Sequence, residues 1–107
     1  MEIKGYKIID IEIGNYSHNG NTAITLICED EGIACPFAVI TVNLGITLEK
    51  DYAFIDTNNC DWVEKWLQDN KFGEPTGQQM ASGFCVYPLY KLNLNNIKNF
   101  FLTNNVS

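Results

Sequence analysis

Apolar and polar residues alternate from Tyr6 to Ile13, with Ile9, Ile11 and Ile13 on one side and Ile8, Asp10 and Glu12 on the other. That two-residue period predicts a half-buried strand. Gly14 to Asn21 gathers turn formers, and its Asn19-Gly20 pair suits a hairpin loop. Thr22 to Glu29 is rich in β-branched residues, with Ile24, Leu26 and Cys28 alternating against Ala23, Thr25 and Ile27. It predicts a second strand buried on both faces. Beyond the acidic turn Glu29-Asp30-Glu31-Gly32, Pro36 limits how far the next strand reaches backward, which sets a third strand over Phe37 to Leu44. Tyr52 to Ile55 supplies a short fourth. Antiparallel neighbours joined by short turns make a meander.

After Ile55 the period lengthens. Asp56, Thr57, Asn58 and Asn59 are N-cap candidates, and Asp61 and Glu64 suit the positive end of a helix running to about Asn70. Trp62, Val63, Trp66 and Leu67 form its apolar stripe. Gly73, Pro75 and Gly77 break the pattern and predict a loop through Gln78, Gln79 and Ser82. Gly83 to Tyr87 reads as another strand, which Pro88 ends or holds to an edge. Leu94, Ile97 and Phe101, with Phe100 beside them, are spaced for a short carboxy-terminal helix capped by Asn93, and Thr103 to Ser107 is expected to fray. The pattern has no repeat or linker. It predicts a single α+β domain over residues 1–107: an antiparallel meander of four to five strands packed by one central helix, with a short helix at the carboxy end.

Composition supports one core. The 107 residues are 46 % hydrophobic and 12 % aromatic, far above the range of chains too polar to fold. Stretches such as Phe37 to Ile40 fall well short of the roughly 20 residues that span a bilayer, and the amino-terminal residues lack a signal-peptide pattern, so a cytoplasmic location is expected and no membrane partner. Charge changes the picture more. Thirteen acids face seven bases for a net charge of −6, every base is a lysine, and all the acids lie between Glu2 and Glu74. Without arginine, direct nucleic-acid recognition is disfavoured.

The residues that could carry chemistry are few. His18, the one histidine, falls in a predicted turn, and no motif around a cysteine pairs with it as a nucleophile site would require. Cys28, Cys35, Cys60 and Cys85 lack the close spacing of a zinc site and, in a reducing compartment, are expected as buried or partly buried thiols, although three disulfide pairings are open to them. Glu29, Asp30 and Glu31 lack the glycine and glutamate positions of an EF-hand, and the glycines match no phosphate-binding loop. No catalytic residue, metal or cofactor is therefore expected. Function by surface contact remains. Glu29, Asp30, Glu31, Glu49 and Asp51 are the expected acidic contact surface, and Tyr87 and Tyr90, flanking Pro88-Leu89, the expected apolar hot spot.

Asp56-Thr57-Asn58-Asn59-Cys60, Gly73-Glu74-Pro75-Thr76-Gly77 and Ser82 to Tyr90 resemble a family of small bacterial proteins carried by phages and conjugative elements. The resemblance covers Tyr52 to Leu92 and implies a setting rather than an activity, since accessory genes of such elements often encode small acidic inhibitors of host defence, anti-CRISPR and anti-restriction proteins among them. The expectation is a non-enzymatic inhibitor whose carboxylates enter the basic groove of a protein partner such as a CRISPR effector or another nuclease. The alternative is a regulatory module that forms a homodimer through a sheet edge or the Tyr87/Tyr90 patch.

Overall fold

The alternation of the first long strand is broken by one residue, and that break sets the first sheet. In the computed structural model, which describes residues 1–104, strands β1 (Glu2–Ile3), β2 (Tyr6–Asn15), β3 (Thr22–Asp30) and β4 (Ile33–Val39) form an antiparallel meander in chain order. Ile8 pairs with Cys28 but Asp10 with Ile27, so Ile9 is the extra residue of a β-bulge. The bulge resets the phase. Ile8 thereby joins Ile11 and Ile13 on the inner face opposite Cys28, Leu26 and Ile24, whereas strict alternation places Ile8 with the polar residues. The second strand is buried on its Ile24, Leu26 and Cys28 face and only half-buried on the other.

The predicted third strand is two strands in different sheets. β4 begins four residues earlier than expected, at Ile33, and Phe37 is the bulge residue that lets Pro36 lie inside it. The fully buried Ile40 then turns the chain: its N–H donates to the Ile24 carbonyl of the first sheet (3.0 Å), and its own carbonyl accepts from Asp56 N (2.9 Å) beyond the second. β5 (Thr41–Val42) and β6 (Tyr52–Ile55) open that second antiparallel sheet, whose order is β5-β6-β8-β7, with β7 spanning Gly73–Ser82 and β8 Cys85–Leu92. Two four-stranded sheets thus replace the single one expected.

β7 overturns the predicted loop. Its glycines and proline are answered by local geometry: a Cβ at the buried Gly73 would come within 3.1 Å of Leu92 Cδ2, and Gly77 (φ +87°) turns through a bulge between Pro75 and Gln79. Thr76 Oγ1 donates to the Leu89 carbonyl (2.9 Å) across that bulge. Pro88 neither ends β8 nor confines it to an outer position; it sits one residue before Leu89, where the pairing of β8 with β6 begins, so its missing N–H costs no bond on that side.

Helix α1 (Val63–Asp69) buries Val63, Trp66 and Leu67 as the stripe predicts. Its start differs, because Trp62 takes the N-cap position without a side-chain bond while Asp56 accepts from Asn59 N and Nδ2 at 3.2 and 2.9 Å instead. Helix α2 (Leu94–Asn104) has the predicted cap: Asn96 N donates to Asn93 Oδ1 at 3.0 Å, and Ile97 and Phe101 are buried. α2 lies against β2 and α1 beside β7, so helix packing is shared between two elements. Of the segment expected to fray, the backbone is helical through Asn104, and residues 105–107 lie outside the described residues. No helix among the described residues is long and apolar enough to cross a membrane.

A line of aromatic rings joins these parts. From Tyr6 through Phe37, Trp62, Trp66, Phe72 and Phe100 to Phe101, successive ring centroids are 5.0 to 6.0 Å apart, most of them edge-to-face. Each such pair contributes about 0.5–1.5 kcal/mol beyond its area burial. Tyr90, expected with Tyr87 in a partly exposed apolar hot spot, is instead fully buried (0 % exposed). Its hydroxyl donates to Glu64 Oε1 (2.8 Å) and accepts from Gln68 Nε2 (2.8 Å), which ties β8 to α1.

Two outcomes test this packing. Phe72→Ala, at the middle of the ring line, should cost about 3–5 kcal/mol in urea unfolding, whereas Asn93→Ala should cost about 1 kcal/mol through loss of the α2 cap. Burial, and after it the Glu64 carboxylate, pushes the Tyr90 hydroxyl from 10.0 up to about 12. A raised folded value favours the protonated state, so this contribution is whole below about 10 and is lost as pH climbs through about 12. Tyr90→Phe should therefore be the less stable protein near pH 8 yet lose less stability than wild type between about pH 10 and pH 12, read as urea midpoints.

Candidate functional site

Strand ends and turns decide where the expected contact residues stand. Glu29 and Asp30 close β3, and Glu31 (φ +51°) with Gly32 (φ +81°) makes the two-residue turn into β4, a primed turn in which glycine supplies the second positive φ. All three acids are exposed. Glu49 and Asp51 belong to the segment after β5, which Asn21 anchors at the opposite end of β3: Leu48 N donates to Asn21 Oδ1 (2.8 Å) and Asn21 Nδ2 to the Ile46 carbonyl (2.7 Å). At about 3.3 Å per residue, the nine residues of β3 put roughly 25–30 Å between its acidic end and the Asn21 end that holds the Ile46–Leu48 segment. The five carboxylates do not form one patch.

Two acids that the sequence reading left as ordinary strand residues join the first group. Asp10 and Glu12 are exposed on the outer face of β2, opposite Ile27 and Thr25, the same face that carries Glu29. The signal lay in the alternation itself, which marks both as outward. Through Val42 the chain holds six carboxylates against two lysines. Both lysines are engaged: Lys4 Nζ lies 2.9 Å from Asp61 and Lys7 Nζ 3.8 Å from Glu29. Being exposed, these pairs contribute little to stability, but they reduce the positive charge that this sheet can offer.

The positive charge collects elsewhere. Lys50, Lys71, Lys91 and Lys98, four of the seven lysines, line a cleft of about 890 Å³ bounded by the end of α1, the start of β7, the end of β8 and the first turn of α2. Its rim is fixed by hydrogen bonds to backbone carbonyls. Leu92 N donates to the Asp51 carbonyl (2.6 Å), Asn93 N to the Phe72 carbonyl (2.8 Å) and Asn96 Nδ2 to the Lys71 carbonyl (3.0 Å), while Asp51 and Lys71 hold positive φ angles of 74° and 58°. Asp51 and Glu74 also line it, so Asp51 lies among lysines. These lysines stand far apart in sequence and only the β6-β8-β7 order brings them together.

The apolar hot spot is reduced to Tyr87, which is half-buried, since Tyr90 belongs to the core. The fully exposed apolar side chain of this hairpin is Phe84, at its tip beside Gly83 (φ +62°), with Val86 (48 % exposed) following it. His18 is exposed in the β2–β3 connection, and no three His, Cys, Asp or Glu side chains among the described residues are grouped as metal ligands would be. The four cysteines are free thiols, with Cys28 and Cys60 buried and Cys35 and Cys85 half-buried. Burial pushes the Cys60 thiol up, assisted by the Asp56 and Asp61 charges, which suits a packing role rather than a nucleophile.

No curated protein and no solved structure matches this chain. Residues 10–105, from the inner strand of the first sheet through α2, match the model of the family described as a domain of unknown function, DUF4313. The match takes in β2 from Asp10 onward, the lysine cleft and the β7–β8 hairpin alike, and the chain belongs to that family.

Proposed function

We propose that the protein is a non-enzymatic binding protein that sets the carboxylates of its first sheet against the basic groove of a protein partner. In this reading it is a cytoplasmic inhibitor of a nucleic-acid-handling defence enzyme, anti-CRISPR-like in action, as the mobile-element resemblance implies. One observation carries it: Asp10, Glu12, Glu29, Asp30 and Glu31 are all exposed on one sheet, and the two lysines of that sheet are held in ion pairs. A surface of one sign steers a partner of the other and accelerates their encounter, an effect that salt weakens. The net charge of −6 is modest for a full mimic of DNA, so the contact is a local one.

A screen of guide-loaded CRISPR effector nucleases for binding tests this reading. Replacing Asp10, Glu12 and Asp30 together by lysine should weaken the complex at least about tenfold and flatten its salt dependence, and Glu49→Lys with Asp51→Lys, at the far end of β3, should leave it unchanged. Equal loss from both sets, or affinity indifferent to salt, would sink the acidic-sheet contact.

The cleft favours a second reading, in which the protein holds a small anionic ligand among Lys50, Lys71, Lys91 and Lys98. Titration calorimetry with pyrophosphate should then register binding in wild type and at least about tenfold weaker binding in Lys71→Ala with Lys98→Ala. A flat wild-type titration would remove this reading.

A further inference from the structure

Cys28 and Cys35 stand directly opposite one another in the register of β3 and β4, with their Sγ atoms 3.3 Å apart. Opposed residues of an antiparallel pair have Cα atoms about 4.5–5.5 Å apart with side chains on one face, which falls within the range that a disulfide spans. Six residues separate the two, including the turn through Glu31 and Gly32. The hairpin thus holds the thiols together independently of the rest of the core. Their exposures differ: Cys28 is 2 % exposed, whereas Cys35 is half-buried on the outermost strand of the sheet. The other thiols have other neighbours, Cys60 Sγ pointing at the Val39 carbonyl (4.0 Å) and Cys85 lying opposite Ser82 in the β7–β8 hairpin.

We propose that Cys28 and Cys35 form a reversible two-electron redox site that hydrogen peroxide closes to a cross-strand disulfide. Cys35, the less buried residue of the two, attacks peroxide as its thiolate: an S–O bond forms, the O–O bond breaks, and the departing hydroxide takes up the thiol proton as water. The Cys28 sulfur then attacks the sulfenic sulfur of Cys35. An S–S bond forms, the S–O bond breaks, and the Cys28 proton leaves with the oxygen as a second water. Two thiols and one peroxide become one disulfide and two waters, and a dithiol reductant reopens the bridge by exchange, itself becoming a disulfide. Burial, then the hydrogen bond to Cys35, pushes the Cys28 thiol up, which suits the sulfur that reacts second. The bridge would staple the hairpin that carries Asp30 and Glu31. It stands whether or not that hairpin meets a partner.

The test is oxidation of the full chain with stoichiometric hydrogen peroxide, alkylation of the remaining thiols, and mass mapping after cleavage at the glutamates between the two cysteines. The expected product has lost two hydrogens, carries the Cys28–Cys35 cross-link with Cys60 and Cys85 alkylated, melts roughly 5–10 °C higher, and reverts with dithiothreitol. The Cys60→Ser, Cys85→Ser double variant should behave identically, and Cys35→Ser should form no cross-link. A bridge that includes Cys60 or Cys85, four alkylated thiols after oxidation, or sulfinic acid at Cys35 without a bridge would each overturn the proposal. Because the wild-type map alone decides between these products, the proposal stays testable even if a variant fails to fold.

Discussion

One residue, Ile40, is bonded on both sides of the joint between the sheets, and the architecture turns on it. Ile40 gives its N–H to β3 and its carbonyl to the residue that follows β6, and its side chain is wholly buried between them. A buried backbone group without a partner would cost about 1–3 kcal/mol. Pulling either sheet away while Ile40 stays buried would leave one of these two groups without its partner, so the sheets are coupled and the chain should unfold as one cooperative unit. Thr41 strengthens the joint, since its Oγ1 accepts from Ile24 N (3.2 Å) and meets the Tyr16 hydroxyl at 3.1 Å.

Around that joint the aromatic line does what two short helices cannot do alone. A seven-residue α1 buries only one stripe, and isolated helices of that length do not persist in water. Trp62 and Trp66 connect it forward to Phe72 and backward to Phe37, while Trp66 Nε1 approaches Met1 Sδ at 3.1 Å. Tyr90 adds the polar tie. The interior is therefore held by packing between segments remote in sequence, with a few hydrogen bonds fixing orientation.

That distribution explains what could be read in advance. β3 and α2 were legible because their burial follows a regular period and, for α2, because Asn93 is a cap by its own chemistry; β6 was legible as a short apolar run, buried from Ala53 to Ile55. β7 was not, because Gly73, Pro75 and Gly77 are unfavourable in a strand except where a close approach to Leu92 and a bulge require them. The phase of β2 was hidden for a related reason: a bulge at Ile9 inverts the face assignment of everything before it, and nothing in a two-residue period marks the extra residue. The candidate surfaces divide the same way. Exposure of Glu29 to Glu31 followed from turn chemistry, whereas the separation of Glu49 and Asp51 from them, the burial of Tyr90 and the meeting of Lys50, Lys71, Lys91 and Lys98 all depend on strand order.

The three prolines acquire a common meaning from the sheet order. Each sheet ends on one side in a two-residue strand, β1 or β5, and on the other in a long one, β4 or β7. A long outer strand is a template for fibril growth, because its unpaired backbone groups invite another chain. Both long ones are interrupted, β4 by Pro36 and the adjoining bulge at Phe37, β7 by Pro75 and the bulge that runs to Gln79. The third, Pro88, falls just outside the stretch of β8 that pairs with β6, Leu89 to Lys91. A chain that is nearly half hydrophobic and mostly strand thus carries its own guard against amyloid-like stacking, placed at the positions where its backbone is least covered.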